Sequence, residues 1–375
     1  MENFELIVTS ASGVESCVKK ELLSLGYTSP KAVEGKISID GNGYDIAKLN
    51  MFLSCANRVF LKLTTFRADT FDMLFECVNS FDWIPIIPFN AKINVTGKSK
   101  NSKLFSVSDI QSIIKKAIVT KLSAHYGKRI LPESGAEYGI EFLINNDEIT
   151  LMLNTSGDGL HKRGYRDLVG SAPIKETLAS ALLDLSDFSA ETPFCDPFCG
   201  SGTIVIEAAR KALKIAPGRD RKFAYCEWDF IPADAYKLAY EQALDEEIRS
   251  LDLNFAGYDI DKNAISLAMR HAERAGVRKY IHLQVRDVAE FKSKKKNGCI
   301  ITNPPYGERL LDIKSVNSLY RTLGQVYRAL DNWSLYVITS APYFEKNLGI
   351  KAERNRKLYN SNKECHFYQF PKSVK

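Results

Sequence analysis

The feature that most constrains this chain is the spacing of short apolar runs in its second half. Runs at Thr192–Cys195, Asn254–Tyr258, Ile281–Val285, Cys299–Thr302 and Ser334–Ile338 are strand-length, and amphipathic stretches at about Thr203–Leu213, Ala264–Ala275 and Val316–Leu330 separate several of them. This alternation is the pattern of βαβ units, in which successive strands lie parallel under crossover helices. A last pair of runs, roughly Arg356–Tyr359 and Cys365–Phe370, predicts an antiparallel closure of the sheet edge. The expected fold of this half is therefore α/β, a Rossmann-like doubly wound sheet. Ligands of such sheets sit at the carboxyl ends of the strands.

Those strand ends carry the chemistry. Asp196-Pro197-Phe198-Cys199-Gly200-Ser201-Gly202-Thr203 follows the first strand and opens a helix, where glycines permit close backbone approach and free N–H groups face a ligand. Gly257-Tyr258-Asp259-Ile260-Asp261 places a carboxylate at the tip of the second strand, within reach of a sugar's hydroxyls; Asp261 lies further past the strand end and ranks second. Arg286-Asp287-Val288 follows the third strand and Asn303-Pro304-Pro305-Tyr306-Gly307 the fourth. A Gly-x-Gly turn alone fits a nicotinamide dinucleotide equally well. The full Gly-x-Gly-x-x-Gly fingerprint is absent, however, because Thr203, Ile204 and Val205 follow Gly202.

This ordered set resembles the class I S-adenosylmethionine-dependent methyltransferases, and Asn303-Pro304-Pro305-Tyr306 is similar to the signature of those that methylate exocyclic amines. An aromatic amine is a poor nucleophile because its lone pair is delocalised. Acceptors on its N–H groups, here the Asn303 side chain and the Pro304 carbonyl, align the nitrogen and stabilise the charge that develops on it. Pro304 and Pro305 stiffen the loop, and Tyr306 stacks on an unpaired or flipped base. The resemblance implies that Asp196, Pro197, Phe198, Cys199, Gly200, Gly202 and Thr203 surround the methionine part of the cofactor. It gives Asp259 the ribose, with Ile260 against the adenine, and Asp287 the adenine amine, with Val288 beside it; Asn303 touches cofactor and base alike.

The first half reads as two small α+β units in series. Strands are expected at Phe4–Val8, Ile37–Asp40 and Val59–Thr65, with helices at Val14–Leu25 and Tyr44–Ser54; then come a helix at Phe71–Phe81, a strand at Lys92–Thr96, a helix from Val107 to His125, and a hairpin of Tyr138–Ile144 and Ile149–Asn154. Lys92 to Arg129 holds nine basic residues against one acid, Asp109, whereas Met1 to Ala91 holds eight basic and eleven acidic residues. Positive charge concentrated in one folded stretch points to phosphate, and Lys98, Lys100, Lys103, Lys115 and Lys116 are the candidate RNA contacts. The competing reading makes Lys115, Lys116 and Lys121 the solvated face of a helix whose apolar stripe is Ile110, Ile114, Ile118 and Leu122.

With this half included, the whole chain resembles a bacterial THUMP-domain RNA methyltransferase. It is similar to the guanine-N2 methyltransferase half of the enzyme that modifies 23S rRNA, and Ile215–Arg219 with Trp228 look like that family's insertion. The implied division is a ferredoxin-like unit at 1–65, a THUMP domain at 66–155, a polar, glycine-rich linker at 156–171, and the S-adenosylmethionine-dependent domain at 172–375. Lys162, Arg163 and Arg166 of the linker either touch RNA or tie the linker to the catalytic domain. The expected partner is 23S rRNA or an assembly intermediate, with tRNA as the alternative; a non-catalytic RNA-binding chaperone and a DNA adenine-N6 methyltransferase are the rivals.

The opening residues lack a basic region followed by an apolar one, and no uncharged apolar window approaches the roughly 18 residues of a membrane span. A cytoplasmic chain is expected. The eight cysteines include no Cys-x-x-Cys pair, and the spacing of Cys195 and Cys199 is not that of a zinc site, so neither a disulfide framework nor a metal is expected.

Overall fold

A computed structural model of the chain describes residues 3–33, 35–166, 174–306 and 313–373. The N-terminal half runs β1 (Phe4–Ser10), α1 (Glu15–Ser24), β2 (Lys31–Val33), β3 (Lys36–Gly41), α2 (Gly43–Phe52), β4 (Ala56–Arg67), α3 (Phe71–Ser80), β5 (Lys92–Lys100), α4 (Val107–Tyr126), β6 (Glu137–Asn145) and β7 (Glu148–Asn154). Local chemistry sets the element ends. Asn42 and Asp45 form a reciprocal capping box on α2. α4 buries Ile110, Ile114, Ile118 and Leu122 and stops at Gly127. Asn146 and Asp147 turn between β6 and β7 with φ of 52° and 61°, backbone that these two residue types tolerate.

The two units do not stand in series as separate sheets. They share one seven-stranded sheet of order β2-β3-β1-β4-β7-β6-β5, antiparallel except for the parallel β5·β6 pair. The strand β4, 12 residues long, joins them: Ala56 to Leu61 pairs with β1 and Phe60 to Arg67 with β7. One long strand serving both units leaves neither with a bare edge at the junction.

The C-terminal half runs α5 (Glu176–Asp184), β8 (Phe194–Asp196), α6 (Thr203–Ala212), α7 (Ala235–Glu246), β9 (Phe255–Asp259), α8 (Lys262–Arg274), β10 (Ile281–Val285), β11 (Cys299–Thr302), α9 (Ile313–Arg328), β12 (Ser334–Thr339), α10 (Phe344–Leu348), β13 (Arg354–Asn360) and β14 (Lys363–Phe370). The sheet order is β10-β9-β8-β11-β12-β14-β13, parallel from β10 to β12 and antiparallel across β14 and β13. The strand order reverses between β8 and β11, which opens a crevice at their carboxyl ends.

Residues 156–166 of the expected linker are instead packed, as is Thr155 before them. Thr155, Ser156, Arg163 and Tyr165 are buried. The Asn50 side chain donates to the Thr155 hydroxyl and accepts from that of Ser156, at 2.9 and 2.6 Å. Residues 167–171 of the expected linker lie outside the described residues. The insertion after α6 clamps the halves together from the other side. Gly218 donates to the Met51 carbonyl at 2.9 Å, and a Cβ on it would lie 2.7 Å from the Asn50 carbonyl oxygen, so only glycine fits there. Trp228 stacks on Tyr138 with ring centroids 5.1 Å apart, and its indole donates to the Glu137 carbonyl. Among the described residues no helix is long and apolar enough to cross a membrane.

Candidate active site

A cleft of about 1210 Å³ opens at the carboxyl ends of β8, β9, β10 and β11. Pro197, Phe198, Gly200, Asp259, Ile260, Asp287, Val288, Asn303, Pro304, Pro305 and Tyr306 all line it, so four loops far apart in sequence converge. Gly200 has φ of 52°, and a Cβ built on it would meet nothing within 4 Å, because it would project into open space. Its N–H donates to the Asp259 carboxylate at 2.9 Å, which ties the first loop to the second. The other carboxylate oxygen of Asp259 accepts from Asp261 N–H at 2.9 Å. Asp261 itself caps α8 through Asn263 N–H and does not line the cleft, which leaves Asp259 as the carboxylate at the tip of β9. Ile260 stands 71% exposed at the strand tip, an apolar surface without a protein neighbour to cover it.

Asp196 does not line the cleft. It is buried beneath the loop, where one carboxylate oxygen accepts from the Thr302 hydroxyl at 2.6 Å and from Phe198 N–H at 3.1 Å. Burial pushes its pKa up to about 7 against these two hydrogen bonds, with Asp259 adding a smaller upward push. Asp196 therefore braces the end of β8 against the residue immediately before Asn303. Cys199, Gly202 and Thr203 also stand behind the cleft wall rather than in it, and all three are buried. Gly202 packs on Ala268, and Cys199 N–H donates to the Tyr258 carbonyl at 2.8 Å.

The fourth loop is held from both sides. Buried Tyr320 donates to the Pro305 carbonyl at 2.5 Å. The Tyr306 hydroxyl donates to Oδ1 of Asn303, and Lys363 Nζ lies 4.7 Å from the centre of the Tyr306 ring. The tyrosine is thus folded over the acceptor rather than presented flat to an incoming base. Gly307 lies outside the described residues.

Several lining residues escaped the sequence reading: Arg286, Ser315, Val316, Leu319 and the β13–β14 turn residues Asn360, Ser361, Asn362 and Lys363. Arg286 stood in a quoted motif without a role, and its guanidinium lies 4.6 Å from the Tyr258 ring centre. The turn had no signal, since only the antiparallel return of β14 beside β12 brings it to the cleft.

The candidate RNA contacts divide. Lys98 and Lys100 face outward on β5. Lys103 pairs with Asp69 at 2.5 Å and Lys115 with Glu133 at 2.6 Å, while Lys116 lies over the Phe75 ring. Lys162 is exposed and paired with Asp158 at 2.8 Å. Arg163 is only 1% exposed, donates to the Leu160 and Ser54 carbonyls and faces Glu207 at 3.6 Å, so it locks the two halves together and has no surface to offer RNA. Arg166 pairs with buried Glu176 at 2.9 Å and serves the same attachment. Among the described residues, Glu21, Cys55 and Asp184 come close enough to hold a metal. Lys211 already occupies Asp184 at 2.7 Å, and Glu21 accepts from Ser54 and Cys55, so the group is internally satisfied.

The fold and cleft are those of a class I methyltransferase carried behind a mixed α/β N-terminal half. Comparison with known proteins narrows this. Residues 163–369 match the RMKL-like methyltransferase domain (UPF0020), residues 5–60 the RlmL ferredoxin-like domain, and residues 68–154 the THUMP domain. The chain belongs to the RMKL-like methyltransferase family. It is 41% identical to YpsC of Bacillus subtilis (strain 168), by name an RNA methyltransferase, over 100% of this chain and 98% of that protein. It is 31% identical to ribosomal RNA large subunit methyltransferase K/L of Methylococcus capsulatus over 98% of this chain, which spans 51% of that longer protein. SMU.472, by name a methyltransferase and solved complexed with SAH, superposes with a TM-score of 0.93 at 38% identity, covering 100% of this chain and 99% of that one. A protein of Listeria monocytogenes named as an N6-adenine-specific DNA methylase superposes with a TM-score of 0.94 at 44% identity, covering 99% and 97%.

Proposed function

We propose that this RNA methyltransferase of the RMKL-like family transfers the methyl group of S-adenosylmethionine to the exocyclic N2 amine of a guanine in 23S rRNA. The observation that carries the reading is the placement of Asn303 and Pro304 in the same cleft as Gly200, Asp259, Ile260 and Asp287. The cleft fits the cofactor: an open wall at Gly200, a carboxylate at Asp259 for ribose hydroxyls, and bare apolar surface at Ile260 for an adenine. When bound, S-adenosylmethionine supplies an electrophilic methyl group on a sulfonium. Asp287, whose carboxylate accepts from Ala289 N–H at 2.8 Å, is positioned to take the adenine amine beside Val288. Asn303 Oδ1 and the Pro304 carbonyl hold the two N–H groups of the target amine, align its nitrogen and stabilise the positive charge formed on attack. Tyr306 must leave Asn303 for this, and its ring then stacks on the base. Residues 1–155 capture the RNA and residues 172–375 perform the transfer.

The same tetrapeptide also suits an adenine N6 amine in DNA, and the name of the Listeria relative points that way. The ferredoxin-like and THUMP matches over the N-terminal half favour RNA. Incubation with labelled S-adenosylmethionine and total RNA from cells lacking the protein, followed by nucleoside analysis of separated rRNA and tRNA, tests the proposal. Label in N2-methylguanosine from large rRNA is expected. Label in tRNA overturns the substrate, and transfer into duplex DNA alone overturns the RNA reading.

A further inference from the structure

A second cleft, of about 1340 Å³, lies between the outward face of β5 and β6, segment 155–166 and insertion residues 221–224. The proposed reaction makes no use of it. Seven lysines and arginines line it against four acids. Three of the acids are already paired: Glu137 with Lys92 at 3.7 Å, Asp158 with Lys162 at 2.8 Å and Glu176 with Arg166 at 2.9 Å. The fourth, Glu141, lies within electrostatic reach of Arg58, Lys98 and Lys36, and burial raises its pKa. Arg58, Lys175, Arg221 and Lys222 have no ion pair among the described residues.

Arg221 shows how the cations are held. Its guanidinium donates to the carbonyls of Ser156, Asp158, Gly159 and Lys162 at 2.7–3.2 Å, which fixes a positive charge without cancelling it. Arg163 and Arg166 stand in the wall behind it, their guanidiniums turned to Ser54, Leu160 and Glu176. Seven cations against four acids leave the local field net positive, with Asp158 offsetting part of it at Arg221. Burial, then Lys175, Arg163, Arg58 and Lys162, hold the His161 imidazole down to about 4, and burial with Arg163 and Arg58 lowers Arg221 to about 10. Cations that repel one another around a polar cleft define an anion site.

The cleft also leads somewhere. Ser361, in the turn between β13 and β14, lines both this cleft and the methyl-transfer cleft. At the opposite end, Asn94 and Thr96 lie on the exposed face of β5, and the same face continues to Lys98 and Lys100. We propose that this cleft holds the phosphodiester backbone of a single-stranded RNA segment and leads its target nucleotide past Ser361 to Asn303. The inference rests on the RNA-substrate reading above and adds to it the path and the residues that contact the strand. Lys175 and Lys222 make the phosphate contacts, and Arg163, Arg166 and Arg221 shape the wall.

Binding of a fluorescein-labelled 12-nucleotide oligouridine to the full chain, followed by anisotropy across a salt series, tests this. Removing two phosphate contacts in Lys175→Ala/Lys222→Ala should lower the slope of log K against log salt by about 1.4 and weaken binding about tenfold near 0.15 M salt. SAH binding by calorimetry should stay unchanged, which reports an intact fold and cofactor cleft. Lys222→Glu, at an exposed position, should shift affinity in the same direction and guards against a folding defect in the double variant. Unchanged affinity and slope in both variants overturn the path. Failure of the reaction is a separate result: wild-type protein that binds with the expected slope but methylates no RNA keeps the cleft and refutes the proposed transfer. Methylation of RNA undiminished in variants of unchanged slope keeps the transfer and refutes the cleft.

Discussion

Replacing Tyr306 with phenylalanine removes a hydroxyl that donates to Asn303 and accepts weakly from the Cys365 thiol, and losing the first of these bonds should help rather than harm. The Tyr306 hydroxyl donates to Oδ1 of Asn303, the acceptor that the proposed reaction needs for the target amine. A base can engage Asn303 only after this bond opens. A neutral hydrogen bond is worth about 0.5–1.5 kcal/mol net, which converts to roughly 2- to 12-fold in an equilibrium constant. Phenylalanine keeps the ring, its stacking surface and its contact with Lys363 at 4.7 Å. KM for RNA should therefore fall by that factor in Tyr306→Phe, with kcat within about twofold, because the bond is made in the free protein and not in the transition state. Tyr306→Ala, which also removes the stacking face, should instead raise KM about 5- to 150-fold, from the roughly 1–3 kcal/mol of base–aromatic stacking. Steady-state methyl transfer with labelled S-adenosylmethionine measures both. A kcat about a hundredfold lower in Tyr306→Phe would refute the reasoning, since it would place the hydroxyl in the transition state; an unchanged KM would show that the bond does not gate the acceptor.

Three further outcomes follow from the same geometry. Asn303→Ala should lower kcat by about 10²–10³, the usual loss for one preorganised polar group on developing charge, while SAH affinity measured by calorimetry stays within about threefold. For Asp196, a folded pKa of about 7 against an ordinary 3.8 means that the folded state keeps the proton longer, so its contribution to stability falls as pH rises through that window. Asparagine never ionises, so wild type should lose about 2–3 kcal/mol relative to Asp196→Asn between pH 5 and pH 8 in urea unfolding, and parallel pH dependences would refute the shift. Asn50→Ala should cost about 2–4 kcal/mol in the same assay, because the buried hydroxyls of Thr155 and Ser156 both lose their Asn50 partner; a loss under about 0.5 kcal/mol would show that the network does not hold Thr155 and Ser156 against α2.

Much of this protein was legible without coordinates, because its information is local. Strand and helix periodicity placed nearly every element of the catalytic sheet, and the Asn145-Asn146 pair followed by Asp147 announced a hairpin. The strand-end motifs could be ordered because a doubly wound sheet brings successive strand tips to one edge, and Gly200, Asp259, Asp287 and Asn303 do meet there. What sequence could not decide was which side of a wall a residue occupies. Asp196 sits in the same octapeptide as Gly200, yet it turns inward to Thr302 while the glycine faces open space. Sequence left Arg163 open between an RNA contact and an attachment of the linker, and only the packing of segment 155–166 against Ser54 and Glu207 made it the attachment. The joining of two α+β units into one sheet depended on pairing between β4 and β7, whose partners are about 80 to 95 residues apart. The β13–β14 turn entered the site because β14 returns beside β12. Periodicity and turn chemistry act over a few residues and survive in the linear sequence; burial, pairing and the meeting of two clefts at Ser361 are set by contacts between distant segments, and those exist only once the chain has folded.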